Sequence, residues 1–382
     1  RNIGRRRFTL ECAFPLVWCC PMSVATPALV LPAGFRVSVA PMMDWTDRHC
    51  RSFHRLLSRR AWLYTEMVTA QAIAHGDLDH LLGRGEEGER VVLQLGGNDP
   101  QLLARAAREG QAYGYDEINL NCGCPSDRVR EGAFGACLMA EPERVADCVA
   151  AMQAVVQVPV TVKHRIGIDR REDYEFVHRF VDVVAAAGCR RFVVHARNAW
   201  LDGLDPKQNR EIPPLRYEVV HRLAQDFPHC AFELNGGLQD LAHGLAAVCP
   251  AGADADSPAT RLVGVMYGRR AYHDPWLLAG VDDWLARHAA ETPVAEAAQP
   301  LTRAAVVEAL VGYLERGAAH GVEVRHLARH VLGLYLGQPA ARLWRRMLSE
   351  SRALSCNDPG LLREACAAVE AEAVRVAQGR AD

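Results

Sequence analysis

The sequence predicts an α/β fold, a TIM (β/α)8 barrel with a C-terminal helical-bundle domain. From Val37 onward, an apolar run of four to six residues, a loop with polar or glycine residues and an amphipathic helical stretch recur in eight units. Eight such units over about 250 residues are typical of this barrel. The predicted strands are residues 37–40, 63–66, 91–95, 117–121, 160–163, 192–195, 231–234 and 262–267.

The predicted helices follow the 3.6-residue period. After the fifth strand, Tyr174, Val177, Val181 and Val184 fall on one helical face, and charged residues occupy the others. Beyond the barrel, the period predicts helices over residues 302–319, 324–336, 339–350 and 359–377. These helices would form the bundle.

The predicted domains are an N-terminal extension, a barrel, a linker and the bundle. Residues 1–35 should be a poorly ordered extension, because prolines interrupt their apolar stretch, although a weak export signal is the alternative. Residues 36–290 would form the barrel, 291–300 the linker and 301–378 the helical domain. An insertion at 250–260, rich in Ala, Asp, Gly and Pro, should be a mobile loop on the amino-terminal side of the barrel.

Composition is that of an ordinary globular protein, with 49% hydrophobic residues and a formal net charge of −2. The thirteen cysteines include no C-x-x-C pair, which favours a reduced, cytoplasmic setting over a disulfide framework and makes zinc improbable. No apolar run has the length of a membrane span, and no obligate protein partner is indicated.

Polar and glycine residues follow nearly every predicted strand. In a barrel these positions meet at the carboxyl-end mouth, where ligands bind. Asn235, Gly236 and Gly237 after strand seven, with Gly268 and Arg269 after strand eight, occupy the common phosphate position and predict a phosphorylated cofactor. The other residues expected at the mouth are Pro41, Met42, Glu66, Gln94, Asn121, Lys163 and His195.

Cys124 lies between Gly123 and Pro125, directly after the fourth strand. No regular element can continue through that tripeptide, so the thiol would stand on a tight turn at the mouth. A turn that merely contains cysteine is the alternative for so short a motif.

Lysine usage is a separate signal. Of 44 basic side chains only Lys163 and Lys207 are lysines, which suggests positions that need a compact ammonium group rather than a planar guanidinium. Chance retention of a lysine remains the alternative at both positions.

Long ordered motifs give the sequence a family resemblance. The motifs are APMMDWTDRHCR (40–51), YTEM (64–67), LQLGG (93–97), YDEINLNCGCPSDRV (115–129), FGACLM (134–139), TVKHRIGID (161–169), HARNAWLDGLDPKQNREIPPL (195–215) and NGG (235–237). Together they resemble the tRNA-dihydrouridine synthases, specifically the A subfamily, from about residue 35 to residue 350.

The resemblance implies an FMN enzyme that uses NADPH to reduce the C5=C6 bond of uridine at positions 20 and 20a of the tRNA D-loop. Cys124 would be the catalytic proton donor. Pro41, Met42 and Met43 would line the flavin ring, Gln94 would bind its pyrimidine edge, and Lys163 would lie near N1 and the C2 carbonyl. His195 and Asn235–Gly237 would hold the ribityl chain and phosphate, with Gly268 and Arg269 completing the phosphate site.

The resemblance also implies tRNA contacts. Asn121 would face the uracil edge, and Lys207, Arg210, Arg342 and Arg345 would orient the tRNA. Residues 300–352 contain eight Arg against four acids, which is consistent with an RNA-binding face, although a solvated basic face is the alternative. The sequence departs from the family pattern at Cys122, His164, Asn198 and Tyr267, which leaves fine substrate contacts open.

Two other functions remain open at this point. A flavin barrel acting on a free pyrimidine would need no basic helical domain. A non-catalytic RNA-binding protein would need neither Cys124 nor Lys163.

Overall fold

A computed structural model of the 382-residue chain describes residues 31–32, 34–126, 132–169, 171–249, 261–288 and 300–378. Eight parallel strands close into a barrel in sequence order, and β8 pairs with β1. The strands are β1 (Arg36–Val39), β2 (Trp62–Thr69), β3 (Val91–Gly96), β4 (Glu117–Cys122), β5 (Val160–Arg165), β6 (Arg191–His195), β7 (Ala231–Asn235) and β8 (Gly264–Tyr267). The predicted TIM barrel is confirmed.

Helices surround the barrel and continue beyond it, as predicted. Around the barrel lie α1 (Arg48–Leu57), α2 (Ala70–His75), α3 (Leu78–Leu82), α4 (Pro100–Ala112), α5 (Pro142–Gln153), α6 (Tyr174–Ala186), α7 (Tyr217–Asp226), α8 (Leu241–Val248), α9 (Arg269–His273) and α10 (Val281–His288). The helical C-terminal region contains α11 (Arg303–Gly317), α12 (Val324–Val331), α13 (Ala341–Met347), α14 (Ser351–Ser355) and α15 (Gly360–Gln378).

Local chemistry explains where the barrel elements begin and which face they bury. Asp47 caps α1 by accepting hydrogen bonds from the N–H groups of His49 and Cys50. In α6 the predicted apolar face is buried through Val177 and its neighbours one and two turns along. Strand β8 begins two residues later than predicted. Leu262 is buried but precedes the strand, because an apolar pattern indicates burial and does not by itself indicate strand pairing.

Helix α12 ends five residues before the predicted boundary. The chain turns at Gly337, whose φ is +75°, and again at Ala340, whose φ is +61°. A side chain at Gly333 would collide with the carbonyl oxygen of His273, so glycine lets this segment approach the barrel closely. Tertiary contact therefore overrides the helical period here.

The helical region packs against the start of α1. Asp47 accepts hydrogen bonds from Arg329 at 2.7 Å and from His330 at 3.0 Å. The ring of Trp45 stacks on Tyr272 of α9 with 4.4 Å between centroids, and the Tyr272 hydroxyl donates to the carbonyl of Arg329 at 3.3 Å. Polar and aromatic contacts thus connect the loop after β1 to the C-terminal helices.

An ion cluster fills the amino-terminal end of the barrel interior, here called the barrel floor (Arg36, Glu117, Arg191 and Glu233). Arg36 Nη1 lies 2.6 Å from Glu117 Oε2, and Arg191 Nη1 lies 2.9 Å from Glu233 Oε1. Arg36 also covers the ring of Trp62 at 3.6 Å. Each buried charge of the floor therefore has a partner of opposite charge.

Several domain predictions fall on residues outside the described part of the chain. These are residues 1–30 and 33 of the extension, the insertion at 250–260 and all but residue 300 of the linker. Leu31 and Phe35, at the end of the predicted extension, are buried in the main core. Among the described residues, every helix is too short or too polar to cross a bilayer.

Candidate active site

The parallel register brings the predicted strand-end residues together at one mouth. Asn121 of β4 is paired in register with Lys163 of β5. His195 of β6 is paired with Arg165 of β5 on one side and with Asn235 of β7 on the other. The carboxyl ends of four consecutive strands thus supply amide, ammonium, guanidinium and imidazole groups to one site.

Cys124 stands on a turn that Asn121 organises. Asn121 Oδ1 accepts hydrogen bonds from the N–H groups of Gly123 at 2.9 Å and Cys124 at 3.0 Å. The carbonyl of Cys124 accepts a hydrogen bond from the N–H of Ala136 at 2.9 Å. Its Sγ is half-buried and lies 3.4 Å from Ser126 Oγ. The turn is fixed on both sides, while the thiol keeps access to the mouth.

Cys122, two residues earlier, has a different environment. It is fully buried in the core, and burial raises the pKa of its thiol well above the ordinary value. Such a thiol is inert, so Cys124 is the accessible cysteine of this pair.

Gln94 and Asn121 are joined inside the mouth. Gln94 Oε1 accepts a hydrogen bond from Asn121 Nδ2 at 3.0 Å, and Gln94 Nε2 donates to Asn119 Oδ1 at 2.9 Å. Gln94 is 1% exposed and Asn121 is 9% exposed, so both amides sit at the inner wall of the site.

Lys163 is a half-buried cation of the mouth. Its Nζ donates to Asn235 Oδ1 at 3.1 Å, and Asn235 Nδ2 in turn donates to the carbonyl of Met266 at 2.8 Å. Burial, with the nearby Arg165 guanidinium, lowers the pKa of Lys163 to about 7. A neighbouring anion would restore its charge.

His195 lies among cations. Burial, followed by the charges of Arg165 and Lys163, lowers the pKa of His195 well below its usual range, so the ring is neutral. A Cβ on Gly236 would lie 2.8 Å from His195 Cδ2, which requires glycine after β7. Gly236 and Gly237 also have φ values of +120° and +69°.

Arg165 was not among the predicted site residues, although it connects the loops that follow β4 and β6 at the mouth. Its guanidinium donates to the carbonyl of Gly123 at 3.0 Å and to the carbonyls of Asn198 and Asn209, each at 2.9 Å. Burial lowers its pKa to about 10. The alternation of Thr161, Lys163 and Arg165 along β5 is the signal that could have identified it, because these residues share one strand face.

The loop that carries Lys207 and Arg210 is held in place by a buried asparagine. Asn209 Oδ1 accepts from the N–H of Trp200 at 2.7 Å, and Nδ2 donates to the carbonyl of the same residue at 2.8 Å. Lys207 and Arg210 on either side are exposed. Buried and exposed residues thus alternate, and the basic side chains are presented to solvent.

Other predicted residues occupy the rim of the mouth. Pro41 and Met42 follow β1 and are half-buried, whereas Met43 is 54% exposed. Gly268 precedes α9, and Arg269 forms a 2.6 Å ion pair with Glu211. Arg269 is therefore already partnered, which the sequence did not indicate.

Arg342 and Arg345 lie on the exposed side of α13. Between them, Trp344 is fully buried and donates through Nε1 to the carbonyl of Val331 at 2.8 Å. In the described residues neither arginine is hydrogen-bonded to the strand-end residues of the mouth. The structure presents both to solvent but does not join them to the Cys124 turn.

Three of the departures from the family pattern are structural. His164 is buried against Phe180 and Phe192, with ring centroids at 5.0 and 5.7 Å, and so packs on the helix side of β5. Asn198 is 3% exposed and donates to loop carbonyls. Tyr267 donates to the carbonyl of Asp240 at 2.9 Å.

The donor set of the mouth fits a phosphorylated cofactor. Lys163, Arg165 and His195 converge there, and none of them forms an ion pair with a carboxylate in the described part of the chain. The backbone after β7 adds N–H groups, and a Cβ on Gly236 or Gly237 would collide with His195 or Leu215. Within the same residues, no group of three or more His, Cys, Asp or Glu side chains could hold a metal ion.

Comparison with known proteins gives a consistent result. The family model "Dihydrouridine synthase (Dus)" matches residues 38–371. The chain is 51% identical to the tRNA-dihydrouridine(20/20a) synthase of Synechocystis sp. over 89% of this chain and 96% of that protein. It is 50% identical to the protein of the same name from Vibrio parahaemolyticus, over 88% and 98%. It is 52% identical to that from Xanthomonas axonopodis pv. citri, over 83% and 89%.

The matches cover the barrel, the mouth and the C-terminal helices together. On this evidence the chain belongs to the dihydrouridine synthase family.

Proposed function

We propose that the protein is an FMN-dependent tRNA-dihydrouridine synthase of the A subfamily. It reduces the C5=C6 bond of uridine at positions 20 and 20a of the tRNA D-loop to 5,6-dihydrouridine, with NADPH as electron donor. The observation that carries the proposal is the half-buried Cys124 thiol beside cations that lack carboxylate partners. A proton donor next to an anion site is the combination that this reaction requires.

Cys124 is the catalytic residue of the proposal. FMN, when bound in its reduced form, would supply the hydride, because no protein side chain can supply one. The Cys124 thiol gives its proton to C5, and the resulting thiolate recovers a proton from solvent. A thiol positioned within reach of C5 is a suitable general acid for this step. The hydrogen bonds from the Gly123 and Cys124 N–H groups to Asn121 hold the turn that carries it.

The cofactor is held by residues on every side of the mouth. Lys163 would place positive charge near the flavin ring, and Gln94 would offer an amide to the pyrimidine edge of that ring. The remaining proposed cofactor-binding residues are Pro41, Met42, Met43, His195, Asn235, Gly236, Gly237, Gly268 and Arg269. Because Arg269 is paired with Glu211, its phosphate contact requires that pair to be shared or exchanged.

The substrate is a tRNA in the cytoplasm, and its target base must leave the stack to reach the half-buried thiol. Asn121 contacts the uracil edge. Lys207 and Arg210 on the exposed loop, with Arg342 and Arg345 on α13, contact phosphates and supply salt-dependent affinity. The barrel, 36–290, is thus the catalytic domain, and residues 301–378 form the tRNA-binding domain.

The test uses purified protein, NADPH and unmodified tRNA transcript. The expected result is a yellow protein that forms dihydrouridine at positions 20 and 20a, detected by mass spectrometry, and that leaves free uridine unreduced. Reduction of free uridine at a comparable rate would favour a pyrimidine reductase instead. A colourless protein that binds tRNA without reducing it would contradict the enzyme proposal.

A further inference from the structure

A continuous row of hydrogen bonds runs through the barrel interior, from the Cys124 turn to the barrel floor. We call it the interior network; its members are the Cys124 N–H and the side chains of Asn121, Gln94, Asn119, Thr161 and Glu117. Beyond the links already given, Asn119 Nδ2 donates to Thr161 Oγ1 at 2.9 Å, and Thr161 Oγ1 donates to Glu117 Oε1 at 2.7 Å. Glu117 Oε2 accepts from Arg36 at 2.6 Å.

Which group donates and which accepts in each hydrogen bond of the network is determined from both of its ends. At the mouth, backbone N–H groups can only donate, so Asn121 must turn Oδ1 toward the Cys124 turn and Nδ2 toward Gln94. At the floor, the Glu117 carboxylate paired with Arg36 accepts, so Thr161 must donate to it and accept from Asn119. Both requirements give the same orientation of the Gln94 amide between them.

Burial makes this arrangement costly to disturb. Gln94, Asn119, Thr161 and Glu117 are each 0 or 1% exposed. At such sites water cannot replace a lost partner, and an unsatisfied polar group costs about 1–3 kcal/mol. The two amides that reach the mouth, Gln94 and Asn121, are therefore held in a single orientation before any ligand arrives.

We propose that Asn119 and Thr161 are positioning residues of the reaction. They hold the amides of Gln94 and Asn121, and through Asn121 the Cys124 turn, in the orientation that the flavin and the uracil require. The proposal rests on the proposed function but concerns side chains that touch neither ligand. Gln94 uses one amide hydrogen for Asn119, which leaves its second hydrogen for the cofactor.

The test compares Thr161→Val with Thr161→Ser in the flavin-loaded enzyme. Valine keeps the shape but removes the hydroxyl, so Asn119 and Glu117 each lose a partner, whereas serine keeps the hydroxyl. We expect Thr161→Val to lower kcat for tRNA about 10- to 100-fold with KM within about twofold. Thr161→Ser should stay within about threefold of the native kcat.

A second readout does not depend on tRNA reduction. The rate at which iodoacetamide alkylates Cys124, followed by mass spectrometry, reports the placement of the thiol and its turn. We expect Thr161→Val to change that rate at least fivefold and to shift the flavin absorption bands, with Thr161→Ser close to native. If the native protein fails to reduce tRNA, the proposed function falls, yet this readout still tests the network.

Ser38→Ala is the matched control. Ser38 is a fully buried hydroxyl on β1 that donates to Glu233 Oε2 at 3.0 Å, outside the interior network. The Ser38→Ala variant should lower the melting temperature about as much as Thr161→Val does. It should leave kcat and the alkylation rate of Cys124 unchanged. Equal effects of both variants on kcat and alkylation, or no effect of Thr161→Val on either, would overturn the proposal.

If Thr161→Val does not fold, Asn119→Asp provides the same test. The aspartate keeps the acceptor for Gln94 but has no N–H for Thr161 Oγ1. A reduced kcat and an altered alkylation rate support the positioning role, and native values of both reject it.

Discussion

The two ends of the barrel interior differ in how their cations are paired. At the floor, Arg36 and Arg191 each pair with a glutamate at 2.6 and 2.9 Å. At the mouth, Lys163 and Arg165 donate only to neutral oxygens among the described residues. The charges of the floor are paired, whereas these two cations of the mouth have no carboxylate partner among the described residues.

This difference separates stability from function. A buried cation with a buried partner contributes to the fold, and losing either one leaves an uncompensated charge. A buried cation without a partner costs folding free energy and is retained where a ligand supplies the missing charge. The depressed pKa of Lys163 and the neutral His195 are the electrostatic signs of that second situation.

The largest expected effect is at the mouth. Cys124→Ala should lower tRNA reduction about 10²- to 10⁴-fold, because it removes the proton donor. FMN content and NADPH oxidation should persist, since the cation set is unchanged. Dihydrouridine formation and NADPH consumption are measured in parallel, and full tRNA reduction would refute the proton-donor role.

A substitution at the barrel floor should change the free energy of unfolding. Arg36→Met leaves Glu117 buried without its ion-pair partner and should lower the free energy of unfolding by about 3–5 kcal/mol. Lys163→Met is the matched mouth variant and should change it by less than about 1 kcal/mol. Urea unfolding of both proteins measures the difference, and equal losses would remove the distinction between the two ends.

Lys163→Met should slow the reduction of the bound flavin rather than destabilise the fold. Without the cation, reduction of the bound flavin by NADPH should slow about 10- to 100-fold, since one electrostatic contact to the developing charge is lost. Affinity for tRNA should change little. Stopped-flow absorbance and a tRNA binding assay distinguish the two effects, and a defect in tRNA binding alone would reverse the assignment.

The same lysine predicts a pH dependence of cofactor binding. In the free protein its pKa is lowered from 10.5 to about 7, and a bound anion raises it again, so binding takes up a proton. FMN affinity should therefore fall as pH rises above about 7, by at most about tenfold per pH unit. FMN titrations from about pH 6 to 9 test this. A flat profile in Lys163→Met, with a sloping native profile, identifies the group.

The smallest expected effect lies on the exposed cations of α13. Arg342→Ala should raise KM for tRNA several-fold and reduce the salt slope of binding by about 1, with kcat unchanged. Arg179→Ala, which removes an exposed arginine paired with Glu143 on the barrel's outer face, is the control. Equal losses in both variants would show a diffuse charge effect rather than a contact by α13.

The strand positions and the Cys124 turn could be predicted because their signals are local. The apolar alternation of β4 and the Gly123–Cys124–Pro125 turn lie within one short segment. The roles of Arg165 and Arg269 could not be predicted in this way. Arg165 reaches Gly123 and Asn209, which are 42 and 44 residues away, and Arg269 reaches Glu211 at a separation of 58. Sequence spacing gives no information about such pairs until the barrel closes.

The sequence by itself determined the fold class, the order of the strands and the residue types at their ends, because each depends on periodicity within a few residues. Only the tertiary structure decided which of those residues are partnered. The link from Arg36 to Glu117 and the row of buried amides up to Asn121 exist because closure of the barrel brings separate strands together away from water. In that dry interior each polar group must find a partner, and the barrel register decides which one.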